Sequence, residues 1–464
     1  MDFCSMLFIV CFLPLFLLVY YLVPFKCRNA VILLGSLIGY GIQYTKWLPM
    51  LVIGILVNFL CYRLLCRMDG TGKGYKVWLG TIIAGNLAVL VAAKLSEETM
   101  PGISFLVFCT IAFFVDACLQ RKKNPEVLGL WEFGAYLVFF PKLISGPITR
   151  WETYRKNLPL GRESEKQLWR NLEKGITLFI IGLGYKVLLA DSLASLWNEI
   201  QTIGFESIST LLAWFGMFAY SLEIYFDFQG YSLMAIGVAA MMGITLPTNF
   251  LAPYASVSVS EFYRRWHVTL GTWFRDYVYI PLGGNREGTW KTIRNLAVVW
   301  LLTGLWHGMH WNFLLWAGIL FACVCLERLG LRKWLEKWQG LGHLYVWLVI
   351  PLSWIPFAIH NIEGIRAYFG SLFGMVGASA RMDDILVVGT KYLPYFLVAF
   401  VLAVTTARRR SKAVTTEDKK PWIEHVTTKH AGNLIQVLLL GLVFWWAVYK
   451  LSIGSGNPFM YFSF

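Results

Sequence analysis

Charge is scarce in this chain. Asp, Glu, Lys and Arg make up 15% of its 464 residues, against roughly a quarter in a soluble domain. Between its apolar runs no polar stretch has room for a soluble domain. Cysteine offers no metal or redox motif. The nine cysteines are scattered, mostly inside apolar runs, and the lone Cys323-Val324-Cys325 has no partner at zinc-site spacing, so they read as small apolar side chains. The first apolar segment lacks a basic leader and a small-residue cleavage site, and is expected to be a retained span rather than a signal peptide. Internal repetition of the transporter kind is also missing.

Long apolar runs fill the space these absences leave. The composition is 57% hydrophobic and 16% aromatic. Runs occupy residues 5–23, 30–44, 47–65, 78–95, 103–119, 171–190, 208–228, 293–329, 344–360, 385–405 and 433–451. A helix of about 20 residues crosses the hydrocarbon core, and 293–329 is long enough for two. The expectation is an all-α polytopic membrane protein with about 11–12 transmembrane helices.

The net charge of +14 points to membrane topology rather than to nucleic acid, because of where it sits. Arg63 to Lys76, Arg121 to Lys123, Arg150 to Arg170, Arg328 to Lys337 and Arg408 to Lys412 lie between runs. Such loops stay in the cytoplasm. Acidic or neutral connections at Glu97-Glu98, Glu199 to Glu206 and Asp383-Asp384 then fall outside, as do both termini. Residues 131–149 lie between two basic loops and carry Pro141 and Pro147. They are expected to re-enter the membrane without crossing it, which is tolerated where protein surrounds the broken helix.

Chemistry concentrates in residues 220–312. Tyr220, Glu223, Asp227 and Tyr231 share one helical face. Carboxyls on such a stripe face a cavity or cationic partners, or form a hydrogen-bonded strut that fixes helix packing. Ser258-Val259-Ser260-Glu261 predicts a capping box opening an amphipathic, aromatic helix that runs to about Tyr277. The arginines of that helix suit either an anionic cofactor or lipid head groups. Pro281 to Arg286 (Pro-Leu-Gly-Gly-Asn-Arg) reads as a turn.

Two histidines stand among tryptophans: His267 after Trp266, and His307 in Gly304-Leu305-Trp306-His307-Gly308. From a helix start near Arg294, His307 lies about 20 Å along the span. An ionisable ring at that depth is costly unless it lines a cavity, and imidazole is suited to take and return a proton near neutral pH. Gly304 and Gly308 allow close approach of a second helix or a thin substrate. His310 is expected on the same helical face as His307, as an interfacial or supporting group. No third ligand stands at a metal-site spacing.

These segments resemble the membrane-bound O-acyltransferase (MBOAT) family, in its bacterial alginate O-acetyltransferase-like branch, related to the teichoic acid D-alanyl transfer protein. The resemblance rests on Tyr225 to Phe228, Tyr263 to His267, Trp273 to Tyr277, Ile280 to Arg286 and Gly304 to Gly308, with Gly102 to Phe105 and Phe140 to Ile148 upstream. It covers essentially the whole chain. Leu233 departs from it, standing where that branch usually has an aspartate.

The resemblance implies an MBOAT-type helical bundle over 1–464, with N-terminal spans at 1–119, a catalytic core at 220–316 and an aromatic tail at 452–464. It implies an acyltransferase in the bacterial cytoplasmic membrane, with His307 and His267 catalytic and no bound cofactor or metal. Trp306, Arg264, Asp227, Asp276, Arg286 and His310 are set down as supporting or donor-binding residues. The tail, ending in Phe459-Met460-Tyr461-Phe462-Ser463-Phe464, resembles one in which the tyrosine carries the acyl group, making Tyr461 the expected carrier. The same ending would also serve as an interfacial anchor.

The implied reaction moves an acetyl group from cytosolic acetyl-CoA to an envelope or extracellular polysaccharide, by way of an extracytoplasmic SGNH-type partner. Alternatives are D-alanyl or other acyl transfer to teichoic acid or peptidoglycan and, from other classes, a proton-coupled transporter or an inert scaffold.

Overall fold

The computed structural model describes residues 2–70, 72–96, 98–120, 127–158, 164–376, 382–408 and 434–454. These residues form helices and connecting turns, with no strand among them. Among the described residues, six helical segments are long and apolar enough to cross a membrane: Phe25–Arg67, Lys73–Leu95, Glu165–Ile203, Trp311–Lys337, Gln339–Ala358 and Leu434–Ser452. Shorter apolar helices cover Leu7–Leu22, Ile103–Ala117 and Val388–Val404. This is an all-α polytopic membrane protein. Leucines and valines on its spanning helices remain exposed, as at Leu60, Val77 and Leu438, because lipid rather than protein is their solvent.

The chain divides into two compact units, Met1–Gly182 with Tyr231–Pro247 and Leu183–Gly230 with Thr248–Phe464. In the first unit, residues 131–149 form helices Leu130–Leu137 and Phe140–Leu143. Eight residues rise only about 12 Å, too little to cross. Protein surrounds them: Val138 and Phe139 are fully buried, and Phe113 packs against Phe133, Tyr136 and Trp151. The Tyr136 hydroxyl donates to the Thr149 carbonyl at 2.9 Å, and its ring lies 3.7 Å beneath the Lys142 ammonium. Gly175 and Gly237 let two backbones touch, since a Cβ on either would lie 2.6 Å from the other's carbonyl oxygen.

The second unit holds the His-bearing segments. Helices Thr289–His307 and Trp311–Leu326 form a hairpin, and Gln339–Ala358 packs on Trp311–Leu326. At Gly304 a Cβ would meet the Phe313 carbonyl at 3.0 Å and the Ala317 Cβ at 3.1 Å, so glycine sets how closely the hairpin closes. The Asn312 amide donates to the Pro356 and Phe357 carbonyls, at 3.1 and 3.4 Å. Those carbonyls belong to the last turn of Gln339–Ala358 and have no partner within their own helix.

Candidate active site

The helix expected from Ser258 to about Tyr277 is broken at the first histidine. One helix spans Val259–Arg265 and a second begins at Val268, with Trp266 extended and His267 left-handed at φ 44° and ψ 51°. A non-glycine residue there costs roughly 1–2 kcal/mol, so the surroundings must hold it. Asn249 does so. Its carbonyl accepts from the Val268 amide at 2.8 Å, and its Oδ1 lies 3.1 Å from His267 Nδ1 while accepting from the Thr269 hydroxyl at 2.9 Å. An acceptor facing Nδ1 places the proton there and leaves the lone pair on Nε2, an assignment that follows from the hydrogen-bond pattern. Burial pushes the His267 pKa down to about 3, so the ring is neutral at ordinary pH.

The start of the first helix is also held by long-range contacts. Ser258 Oγ accepts from the Glu261 amide at 3.1 Å, as the capping box predicts. The reciprocal bond differs: the Glu261 carboxylate accepts from Val257 N. Buried Glu327 accepts from the amides of Val259 and Ser260 at 2.6 and 2.9 Å. A carboxylate is favoured at a helix N-terminus.

His307 is the last residue of its helix and is 7% exposed. Aromatic rings surround it, with Trp306, Trp316 and Phe357 at centroid distances of 4.5, 5.0 and 5.0 Å and Phe313 at 6.2 Å. Trp306 also lies 6.2 Å from His267, touching both imidazoles.

Both histidines line one cavity of about 780 Å³. Tyr263, Trp300, Thr303 and Trp316 line its apolar part, and Arg264, Arg275, Arg328 and Arg332 also face it. Arg264 loses some preference for its charged form, first through burial and then through the like charge of Arg332. Two cations facing one cavity favour an anion between them. Asp276 grips Arg275 through two bonds of 2.6 and 3.1 Å, which fixes that guanidinium and holds its pKa up.

The other expected residues fall in different places. Asp227 is not among the cavity-lining residues; it pairs at 3.0 Å with Lys186, which also holds Asp191 at 2.6 Å, all three buried. Glu223 lies in the same electrostatic cluster. The carboxyl stripe therefore has the cationic partner that its burial requires. Arg286 is exposed outside the cavity. Its turn is held by buried Asn295, whose amide donates to the Leu282 and Gly284 carbonyls at 3.1 and 2.9 Å. His310 does not share a helical face with His307, because the helix stops at His307 and Gly308 is extended; it is exposed and lies 5.8 Å from His360. Tyr461 lies outside the described residues.

Asn249, Asn295, Lys186 and Glu327 were not expected. Lys186 left one signal in the sequence, a lone charge within an apolar run.

Comparison with known proteins places the chain in a family. Residues 37–339 match the sequence profile described as "MBOAT, membrane-bound O-acyltransferase family". The chain is 31% identical, over all of both chains, to "Probable alginate O-acetylase AlgI" of Pseudomonas putida. It is 27% identical to "Peptidoglycan O-acetyltransferase" of Helicobacter pylori, over 99% of this chain and 96% of the other. "Teichoic acid D-alanyltransferase" of Bacillus subtilis is 27% identical over 69% of this chain and 84% of its own.

Proposed function

This chain belongs to the membrane-bound O-acyltransferase family, and from that premise we propose that it moves an acetyl group from cytosolic acetyl-CoA across the bacterial cytoplasmic membrane, for O-acetylation of an envelope or extracellular polysaccharide. The observation that carries this reading is the single cavity lined by both histidines and four arginines. Its volume is within the range of roughly 300–1,000 Å³ usual for small-molecule sites. Arg328 and Arg332 belong to a basic connection that the charge rule places in the cytoplasm, where a phosphate-bearing thioester is met.

In this reading the arginines take the donor's phosphates and the thioester reaches the aromatic walls around His307. His307 accepts the proton of an acceptor hydroxyl as that oxygen attacks the thioester carbonyl. The tetrahedral adduct collapses, the carbon–sulfur bond breaks, and the thiolate takes the proton back from the imidazolium. The products are an ester and a free thiol. Neutral His267, with its proton fixed on Nδ1, supplies a lone pair that orients the donor or relays that proton. The first acceptor in this scheme is Tyr461, whose phenol, of pKa about 10, leaves more readily than an alkoxide. Ten residues separate it from Leu451, a reach of roughly 33 Å when extended. The acetyl group then passes to a serine of an extracytoplasmic SGNH-type partner and on to a sugar hydroxyl.

The test uses purified protein and acetyl-CoA labelled in the acetyl group, with thioester cleavage and the intact mass of the C-terminal peptide as readouts. Wild type is expected to cleave the thioester and add an acetyl mass at Tyr461, with His307→Ala doing neither. Undiminished label on the tail of His307→Ala removes that imidazole from the chemistry.

A further inference from the structure

A second pair of histidines, which the acyl-transfer scheme does not use, stands at the ends of two packed helices. His310 precedes Trp311–Leu326 and His360 follows Gln339–Ala358. Both side chains are exposed, with ring centroids 5.8 Å apart and planes inclined at 46°. A metal held about 2.0–2.1 Å from one nitrogen of each ring sets the two ring centres roughly 5–6.5 Å apart. The pair already stands at that spacing.

The backbone beneath it is fixed. Asn312, two residues after His310, bonds to the carbonyls of Pro356 and Phe357 just before His360. Phe313 packs against Phe357 at 5.1 Å. The rings are thus carried on two helix ends tied to each other, which lowers the ordering cost of chelation.

We propose that His310 and His360 form a two-histidine site for a divalent transition-metal ion, on the side of the membrane opposite the basic loops. Imidazole nitrogen selects copper, nickel or zinc over calcium or magnesium. Among the described residues no group of three or more His, Cys, Asp or Glu is placed to hold a metal, so water fills the remaining positions and binding is reversible. The site has a route to the acyl-transfer cavity. Phe313 lies 6.0 Å from His360 and 6.2 Å from His307, so a metal that fixes the outer rings bears through Phe313 on the His307 ring, which lines the cavity. That coupling rests on the acyl-transfer reading; the metal site does not.

The probe is CuCl2 added to the purified full-length protein, read by electron paramagnetic resonance for the number of imidazole nitrogens on the copper. Wild type and the control His343→Ala are expected to show two. His310→Ala, His310→Gln and His360→Ala should each show one, with at least a tenfold loss of affinity by titration. An unchanged two-nitrogen spectrum in the His310 or His360 variants overturns the site, as does a single nitrogen in wild type. ZnCl2 inhibition of acetyl transfer, with an inhibitory concentration at least tenfold higher in His360→Ala, tests the coupling. Equal inhibition in both overturns the coupling alone.

Discussion

Asn249 Oδ1 lies 3.1 Å from His267 Nδ1, and the same residue's carbonyl accepts from Val268 N. One asparagine, 18 positions upstream, therefore sets both the tautomer of the ring and the left-handed turn that carries it. Asn249→Ala is expected to lower acetyl transfer by about 10–100-fold, the usual scale when the group orienting a functional imidazole is lost. Labelled acetyl-CoA turnover at saturating donor checks this; wild-type turnover would show that His267 needs no orienting partner.

The buried ring at 267 makes stability depend on pH. Its pKa is lowered from 6.5 to about 3 on folding, so between those values the unfolded chain binds a proton that the folded one does not. Its share of stability is present above about pH 6.5 and is lost as pH falls toward 3, by at most about 1.4 kcal/mol per pH unit. In His267→Gln, the melting temperature of detergent-solubilised protein should fall less between pH 7 and pH 5 than in wild type. Parallel curves would refute the assignment.

Arg264 and Arg332 face the cavity together, and the like charge of Arg332 adds to burial in disfavouring that of Arg264. An anionic donor relieves that repulsion. Arg264→Ala is expected to raise KM for acetyl-CoA about tenfold with little change in kcat, the loss of roughly one charge-assisted contact. The defect should shrink as salt is added, because screening weakens the interaction in wild type. Steady-state kinetics at two ionic strengths decides.

Glycine at 304 sets the hairpin spacing, with the Phe313 carbonyl 3.0 Å from where a Cβ would stand. Gly304→Val forces the helices apart at an expected cost of about 1–3 kcal/mol. A drop in melting temperature should accompany the loss of acetyl transfer. Unchanged stability would mean that the hairpin adjusts.

Lys186 is the cation between Asp191 and Asp227. Lys186→Met leaves buried carboxylates uncompensated and is expected to cost about 3–5 kcal/mol. Adding Asp191→Asn and Asp227→Asn should restore much of the loss. Thermal unfolding of the single and triple variants measures the recovery.

The membrane class was legible in sequence, because lipid imposes long apolar runs and makes each interruption conspicuous. His307 was visible since a titratable ring in an apolar run has few bland explanations. Lys186 was equally isolated, yet nothing in one sequence says which distant atom a lone polar side chain will meet, and Asn249 and Asn295 stand beside other polar residues. The helix through 258–277 was misjudged because apolar periodicity continues across His267, while the break depends on bonds from Asn249. Helical spacing puts His310 on His307's face only if the helix runs on, and it ends at His307.

By itself, the sequence determined that the chain is a polytopic helical membrane protein, where its basic loops fall and where imidazoles lie among aromatic residues. These follow from local hydropathy and charge, read residue by residue. Only the tertiary structure decided that His267 and His307 share a cavity with four arginines, that Asp227 pairs with Lys186 and that His310 meets His360. Each depends on the distance between residues far apart in the chain, and helix packing sets that distance.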